Sequence, residues 1–361
     1  MIVTIVGAGN AGYAHACKFV EAGHGVRLLK TSHAVHDASF KKVLDNGGIH
    51  YIDDTMAGKK SFAKLDMITR DPNEAIPGAD VVFVVTQSLQ HEGVSDRIAP
   101  LLEDGQMIMV APGYLGSVYF RQKSRARDVL FAEGESLPYD ARIVEAGAVH
   151  ILFENVRNPL GFMPVARRDE GLVRARQLLP RFHARDSVLE SAFHNPNLIV
   201  HTIGTIMSAA RIEYSKGEFW MYREAFTPST WNLIHDLDDE KLAILRVFGL
   251  PEQTFADSFQ FRTYEDLSAD SLTVMKHYAF HGSPKGPDVV NHRYVYEDVP
   301  MGLCLMSSLG KKFGANTPIC DSLIHLACSL LKKDFWREGR TVERLGMQDM
   351  SQRDIVEYVT R

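Results

Sequence analysis

The chain opens on the apolar run Ile2-Val3-Thr4-Ile5-Val6, which stops abruptly at Gly7-Ala8-Gly9-Asn10-Ala11-Gly12. Tyr13 to Ala22 has a helical texture, and a second short run, Val26-Arg27-Leu28-Leu29, follows Gly23-His24-Gly25. This pattern predicts strand, tight turn, helix, strand. The signal then weakens, and residues 33–64 read as a polar helical stretch and a loop. Met67-Ile68-Thr69 predicts a short strand, and residues 79–85 (ADVVFVV) form an unbroken apolar run, as a strand covered on both faces requires. A helix is predicted over 92–102, strands over 107–110 and 128–132, extra strands within 142–165, and a helix near 170–179. From His194-Asn195-Pro196 onward the apolar spacing is helical, with helices predicted at 196–213, 227–248, 300–313 and 318–332.

Alternating strand and helix patterns predict an α/β N-terminal part, a doubly wound, Rossmann-type parallel sheet, followed by a mostly α-helical C-terminal domain. The boundaries are 1–190 for a dinucleotide-binding domain and 191–361 for a helical substrate and catalytic domain, expected to close over the cofactor. The glycine turn motivates that function. Gly7 lets the chain reverse, Gly9 lets the backbone approach a pyrophosphate, and Gly12 lets helix and strand pack closely. With Asn10 and Ala11, these residues are cofactor candidates, since first-turn amides attract a diphosphate. A glycine turn of some other α/β domain is the competing reading. Ligands of such sheets bind beyond the carboxyl ends of the strands, which adds Thr86, Gln87, Pro112 and Gly113. An acid at the end of the second strand would bind the ribose 2′-hydroxyl, but that place falls on Lys30-Thr31-Ser32. A lysine and two hydroxyls suit a 2′-phosphate, which favours NADP over NAD; the alternative is a solvated loop charge.

Composition narrows the setting. The 361 residues, 45% of them hydrophobic, suffice for two cores. A net charge of −5 without long single-sign blocks gives no indication of a nucleic-acid partner. The four cysteines lack C-x-x-C spacing, and the three C-terminal ones are expected to be buried thiols. No apolar run is long enough for a bilayer, and the first residues already read as a core strand, so the expected location is the cytoplasm, without membrane contact. No ligand cluster supports a metal; His24, His33 and His36 read as loop histidines. A homodimer is compatible with this composition.

The second half carries the candidate chemistry. Asn195-Pro196 suits a helix start. In the helix that follows, His201, Gly204, Thr205 and Ser208 share one face, a small polar stripe on an otherwise aliphatic helix. That is what lining a substrate cleft requires; a core histidine satisfied by a backbone carbonyl is the plainer alternative. Asp298 precedes Pro300, the expected first-turn proline of a helix, where the helix field favours an ionised carboxylate. Such a carboxylate can fix a histidine tautomer and stabilise its imidazolium. Arg293 can clamp a substrate carboxylate or form a surface ion pair; Glu297 reads as a solvated or structural charge. Arg142 is a second clamp candidate. Trp220, Tyr222 and Trp231 are candidates for the side-chain pocket, with core packing as their alternative.

Taken together, several segments resemble the octopine/nopaline (opine) dehydrogenase family. They are the GAGNAG turn, Glu133 with Leu137-Pro138-Tyr139 and Arg142, His194–His201 (HNPNLIVH), Phe219–Pro228, Arg293–Leu303 (RYVYEDVPMGL), and Ala315–Pro318 with Asp321. The resemblance implies that His201 and Asp298 form the catalytic pair and that Arg293 serves near the substrate carboxylates. It implies an NAD(P)H-dependent enzyme that condenses a 2-oxo acid with the amine of an amino acid and reduces the imine, reversibly, to an N-(carboxyalkyl) amino acid. The chain departs from the family pattern at Thr202-Ile203-Gly204 and in lacking an acid after the second strand. Two other readings remain. A ketopantoate-reductase-like or glycerol-3-phosphate-dehydrogenase-like reductase would need a catalytic lysine, but Lys216 and Lys241 lie off the His201 stripe. A non-catalytic dinucleotide-binding protein would need no histidine–carboxylate pair.

Overall fold

The computed structural model describes residues 1–33 and 35–360. Its contacts divide the chain into two units, Met1–Ser191 with the last residues from Val359, and Ala192–Tyr358. The strands are β1 (Ile2–Val6), β2 (Gly25–Leu29), β3 (Gly48–Asp53), β4 (Lys59–Lys64), β5 (Met67–Thr69), β6 (Val81–Val84), β7 (Met107–Val110), β8 (Leu130–Gly134), β9 (Tyr139–Glu145), β10 (Ala148–Glu154), β11 (Asn158–Met163) and β12 (Phe182–Ala184). The helices of this half are α1 (Asn10–Glu21), α2 (Asp37–Asn46), α3 (Pro72–Ala75), α4 (His91–Ile98), α5 (Ser117–Lys123), α6 (Arg168–Leu178) and α7 (Val188–Phe193).

Eight strands form one sheet in the order β12-β11-β8-β7-β6-β1-β2-β5. From β5 to β8 every pairing is parallel; β11 returns antiparallel to β8. The central strands are apolar because both faces are covered: all of β6 and β7 is inaccessible to solvent. Order reversal around β1 creates the crevice in which doubly wound sheets take ligands, and the Gly7–Gly12 turn sits at that strand's carboxyl end.

The weakly patterned stretch is more ordered than its sequence suggests. Residues 33–64 hold α2 and also β3 and β4, which join β9 and β10 in a second sheet of order β4-β3-β10-β9. The expectation of a loop fails because β4, Lys59-Lys60-Ser61-Phe62-Ala63-Lys64, buries only Ala63, so its pattern is almost wholly polar. The Lys18 ammonium, 2.8 Å from the Asp53 carboxylate, ties α1 to β3.

The second unit is helical: α8 (Asn197–Ile206), α9 (Ala209–Ser215), α10 (Met221–Glu224), α11 (Pro228–Val247), α12 (Phe255–Thr263), α13 (Ser271–His281), α14 (Arg293–Tyr296), α15 (Cys304–Phe313), α16 (Pro318–Leu331), α17 (Phe335–Glu338) and α18 (Gln352–Thr360). α8 is buried from Leu198 to Ile206, its aliphatic positions and the polar His201, Thr202 and Thr205 alike. The helix predicted to run to residue 213 breaks at Met207-Ser208, where Ser208 becomes the N-cap position of α9. The helix predicted from residue 300 begins with a π-helical turn over Val299–Leu303. All four cysteines are free; Cys304 and Cys320 are buried, whereas Cys328 is only half-buried. No helix among the described residues is long and apolar enough to cross a membrane.

Candidate active site

Two constellations emerge, one in each unit. In the first, Gly7 has φ of +128°, where a side chain would be strained. A Cβ on Gly12 would lie 1.7 Å from the Gly7 carbonyl oxygen, so α1 can start here only with glycine at that position. Gly9 is the N-cap of α1, and no side chain caps the helix, so the amides of Asn10, Ala11 and Gly12 are left to an outside acceptor. The Asn10 side-chain oxygen accepts from the Ile143 amide at 2.8 Å, anchoring the turn to β9. Thr86, beside Gly7, holds a buried hydroxyl without a partner. Uncapped amides, an orphaned hydroxyl and a glycine wall fit a dinucleotide diphosphate. Gln87 is exposed. Pro112 follows a cis peptide bond, and the space beside Gly113 is filled by Glu133, so that glycine has a packing reason. Glu133 accepts from the Leu115 amide at 2.6 Å and from the Ser117 hydroxyl at 2.7 Å, which pins the loop after β7.

Lys30 follows β2 directly. It is not a solvated loop charge: it is 4% exposed, and its ammonium donates to the Val35 carbonyl at 2.8 Å and to the Ser32 hydroxyl at 3.3 Å. Thr31 is half-buried and Ser32 exposed. His36, read as an ordinary loop residue, brings its ring to 3.6 Å from where a Gly9 Cβ would stand. That approach depends on the left-handed backbone of His36 (φ +63°), which spacing does not announce.

In the second unit the sequence-distant pair meets. His201 Nδ1 lies 2.8 Å from Asp298 Oδ2, 97 residues on, with both side chains buried. The partner is a carboxylate, not the backbone carbonyl of the plainer reading. Asp298 stands at the N-cap position of the π-helical turn, yet its side chain makes no cap bond. The turn is held from behind, where the Arg340 amide donates to the Pro300 carbonyl at 2.8 Å. Burial pushes the His201 imidazole well below its ordinary pKa, and the Arg293 charge pushes the same way. The ring is therefore neutral near pH 7, with Nδ1–H donating to Asp298 and Nε2 carrying the lone pair.

Tyr294 stacks flat on His201, ring centroids 3.4 Å apart and planes 9° from parallel. The Arg293 guanidinium sits over the other ring neighbourhood of Tyr294 at 5.2 Å, and 3.8 Å from Glu297. Sequence reasoning missed Tyr294; its place inside the RYVYED segment was the available signal. Thr205, one turn beyond His201, has a buried hydroxyl without a partner. Gly204 serves packing, since a Cβ there would meet Met221 at 2.7 Å. Tyr222 and Tyr294 border the same small core of Ile212, Phe219, Met221, Ala225 and Val290. Trp220 is flanked by Arg223 and Lys285, and Trp231 packs on Phe226. Arg142 belongs to the first unit, on β9, where it is bonded to Asp140 and the Ala141 carbonyl. Lys241 is tied up structurally, 2.6 Å from Asp238 and 3.0 Å from the Gln253 carbonyl. Among the described residues, no cluster of three histidine, cysteine or acidic side chains could hold a metal.

Comparison with known proteins matches residues 184–331 to the family model of the NAD/NADP octopine/nopaline dehydrogenase alpha-helical domain. An opine dehydrogenase of Arthrobacter sp. (strain 1C) is 30% identical over 358 residues, 96% of this chain and 95% of the relative. Among solved structures, octopine dehydrogenase in complex with NADH and agmatine superposes with a TM-score of 0.78 at 21% identity, covering 100% of this chain and 98% of that one. Yersinopine dehydrogenase with NADP+ bound gives 0.73 at 12% identity, with 100% and 98% covered. The fold is that of a dinucleotide-binding oxidoreductase, and the chain belongs to the octopine/nopaline (opine) dehydrogenase family.

Proposed function

We propose that the chain is an NAD(P)H-dependent opine-type dehydrogenase that joins a 2-oxo acid to the amine of an amino acid. The observation that carries this reading is the buried His201–Asp298 pair in the family's helical domain. The relatives' names support the reaction class, and the NADH and NADP+ complexes of related folds support the cofactor class. When bound at the Gly7–Gly12 turn, the nicotinamide cofactor would supply the hydride that reduces the imine.

Every other step falls to this chain's residues. An amino acid attacks a 2-oxo acid only as the free amine, so a base must take a proton. Neutral His201 can accept it at Nε2, which makes no hydrogen bond among the described residues. The resulting imidazolium keeps its Nδ1–H on the Asp298 carboxylate and its face on the Tyr294 ring, both favourable to positive charge. The same proton can then pass to the carbinolamine hydroxyl, which leaves as water to give the protonated imine. Arg293 offers a planar pair of donors for a carboxylate, and Thr205 a free hydroxyl. Arg142, if it clamps a carboxylate, must first release Asp140. Trp220 and Tyr222 supply an aromatic wall for the amino-acid side chain.

A screen of oxo-acid and amino-acid pairs, with NADPH and NADH in parallel, tests this reading. Cofactor oxidation that needs both substrates is expected. Oxidation by the oxo acid alone would point to a simple 2-oxo acid reductase instead.

A further inference from the structure

The loop after β2 holds more positive charge than its architecture needs. Lys30 is buried, and among the described residues no carboxylate lies within ion-pair distance of its ammonium; its partners are a carbonyl and a hydroxyl. Asp37, the acid whose field reaches the ammonium, is shared with Arg70, so the buried cation is incompletely balanced and calls for an anion. Two guanidinium groups converge on the next residues from different elements. Arg97, from α4, donates to the Thr31 carbonyl, and Arg70, after β5, donates to the Ser32 carbonyl. Arg70 also pairs with Asp37 and lies 4.6 Å over the Phe40 ring. Each guanidinium has five N–H donors, and these contacts use few of them. The opposing acids are engaged: Asp37 with Arg70, and Asp71 with the Asn73 amide and side chain at 2.8 Å. Thr31 is half-buried and Ser32 is exposed, its hydroxyl accepting from Lys30, so two hydroxyls stand among three cations.

Position identifies the anion. The Gly7 amide donates to the Leu29 carbonyl at 2.9 Å, so β2 ends beside the glycine turn, where the adenosine ribose of a bound dinucleotide falls. We propose that Lys30, Arg70 and Arg97 form a receptor for the 2′-phosphate of that ribose, and that this loop selects NADPH over NADH. The inference rests on the dinucleotide reading of the glycine turn. A phosphate dianion there neutralises the buried ammonium and takes the unused guanidinium donors, with Thr31 and Ser32 completing the shell. A free ribose hydroxyl offers the three cations nothing.

The test is calorimetric titration of the full chain with adenosine 2′,5′-bisphosphate and with 5′-AMP, which differ only by the 2′-phosphate. The bisphosphate is expected to bind about 10- to 100-fold tighter, with a gap that narrows as salt rises. In Arg97→Gln, which removes the bond to the Thr31 carbonyl, the gap shrinks, and in the double variant Arg70→Gln/Arg97→Gln it falls below about threefold. Equal binding of the two nucleotides by the unaltered protein, or a gap that survives the double variant, overturns the 2′-phosphate receptor and leaves the dinucleotide reading standing. Failure of both nucleotides to bind overturns both.

Discussion

A neutral imidazole between a carboxylate and a phenol ring has one direction left in which to exchange a proton. That is why His201 is the residue on which turnover should depend most. His201→Ala is expected to lower kcat by about 10²- to 10⁴-fold while the Kd for NAD(P)H changes little; unaltered steady-state rates would remove the proposed relay. Asp298→Asn preserves the shape but lets the ring take the wrong tautomer, so a comparable loss of kcat is expected with KM nearly unmoved. Much of this pair was legible in advance. The stripe of His201, Gly204 and Thr205 and the Asp298-Val299-Pro300 step are local patterns, and each follows from helix geometry. Tyr294 and His36 were not legible, because what they touch depends on the angle at which a short helix or a left-handed residue delivers a ring. Lys30 was singled out by counting from the glycines, but its bond to the Val35 carbonyl is not announced by the sequence.

Elements differ in how loudly they declare themselves. β6 and β7 were readable because burial on both faces leaves only apolar residues, and β1 nearly matches them, with Thr4 its one polar residue. β3 and β4 were hidden because β3 finds its second partner, β10, about a hundred residues downstream and β4 exposes nearly every side chain. The break after α8 and the π-helical turn at Val299–Leu303 are departures that periodicity alone does not register. The glycine turn offers a paired test at this scale. Gly12→Ala drives a methyl group into the Gly7 carbonyl, and a loss of about 1–3 kcal/mol or more is expected, read as a lowered Tm. Gly9→Ala meets nothing closer than 3.6 Å and has an ordinary φ of −113°, so the fold should tolerate it. Its methyl group would stand where a pyrophosphate approaches, so the Kd for NAD(P)H should rise at least about tenfold without a matching loss of Tm. Equal effects of the two substitutions on Tm would contradict this division of labour.

Across the whole molecule, acid should act on both units through histidines buried in the neutral form. His15, packed against Phe83 and Tyr139, is held down to about 4 from 6.5 by burial, opposed by its bond to the Ala11 carbonyl. His201 is depressed in the same direction. Because the unfolded chain binds these protons first, stability is full above pH 6.5 and is lost as pH falls towards 4. For His15 the loss should reach about 2–3 kcal/mol at pH 4.5, so urea unfolding of His15→Leu should fall off less between pH 7 and 4.5. Far-UV circular dichroism is the right probe, since Trp220, Trp231 and Trp336 all lie in the second unit and leave the first silent to tryptophan fluorescence. The small sheet also has an implication for biosynthesis. The β3–β4 hairpin is complete by Lys64, but β3 gains its other neighbour only when β10 emerges, from Ala148 onward. At ribosomal speeds of about 5–20 residues per second, that edge waits roughly 4 to 17 seconds for its partner. A nascent chain stalled in that interval would present an open strand edge, and holdase chaperones should capture it there more than at any later length.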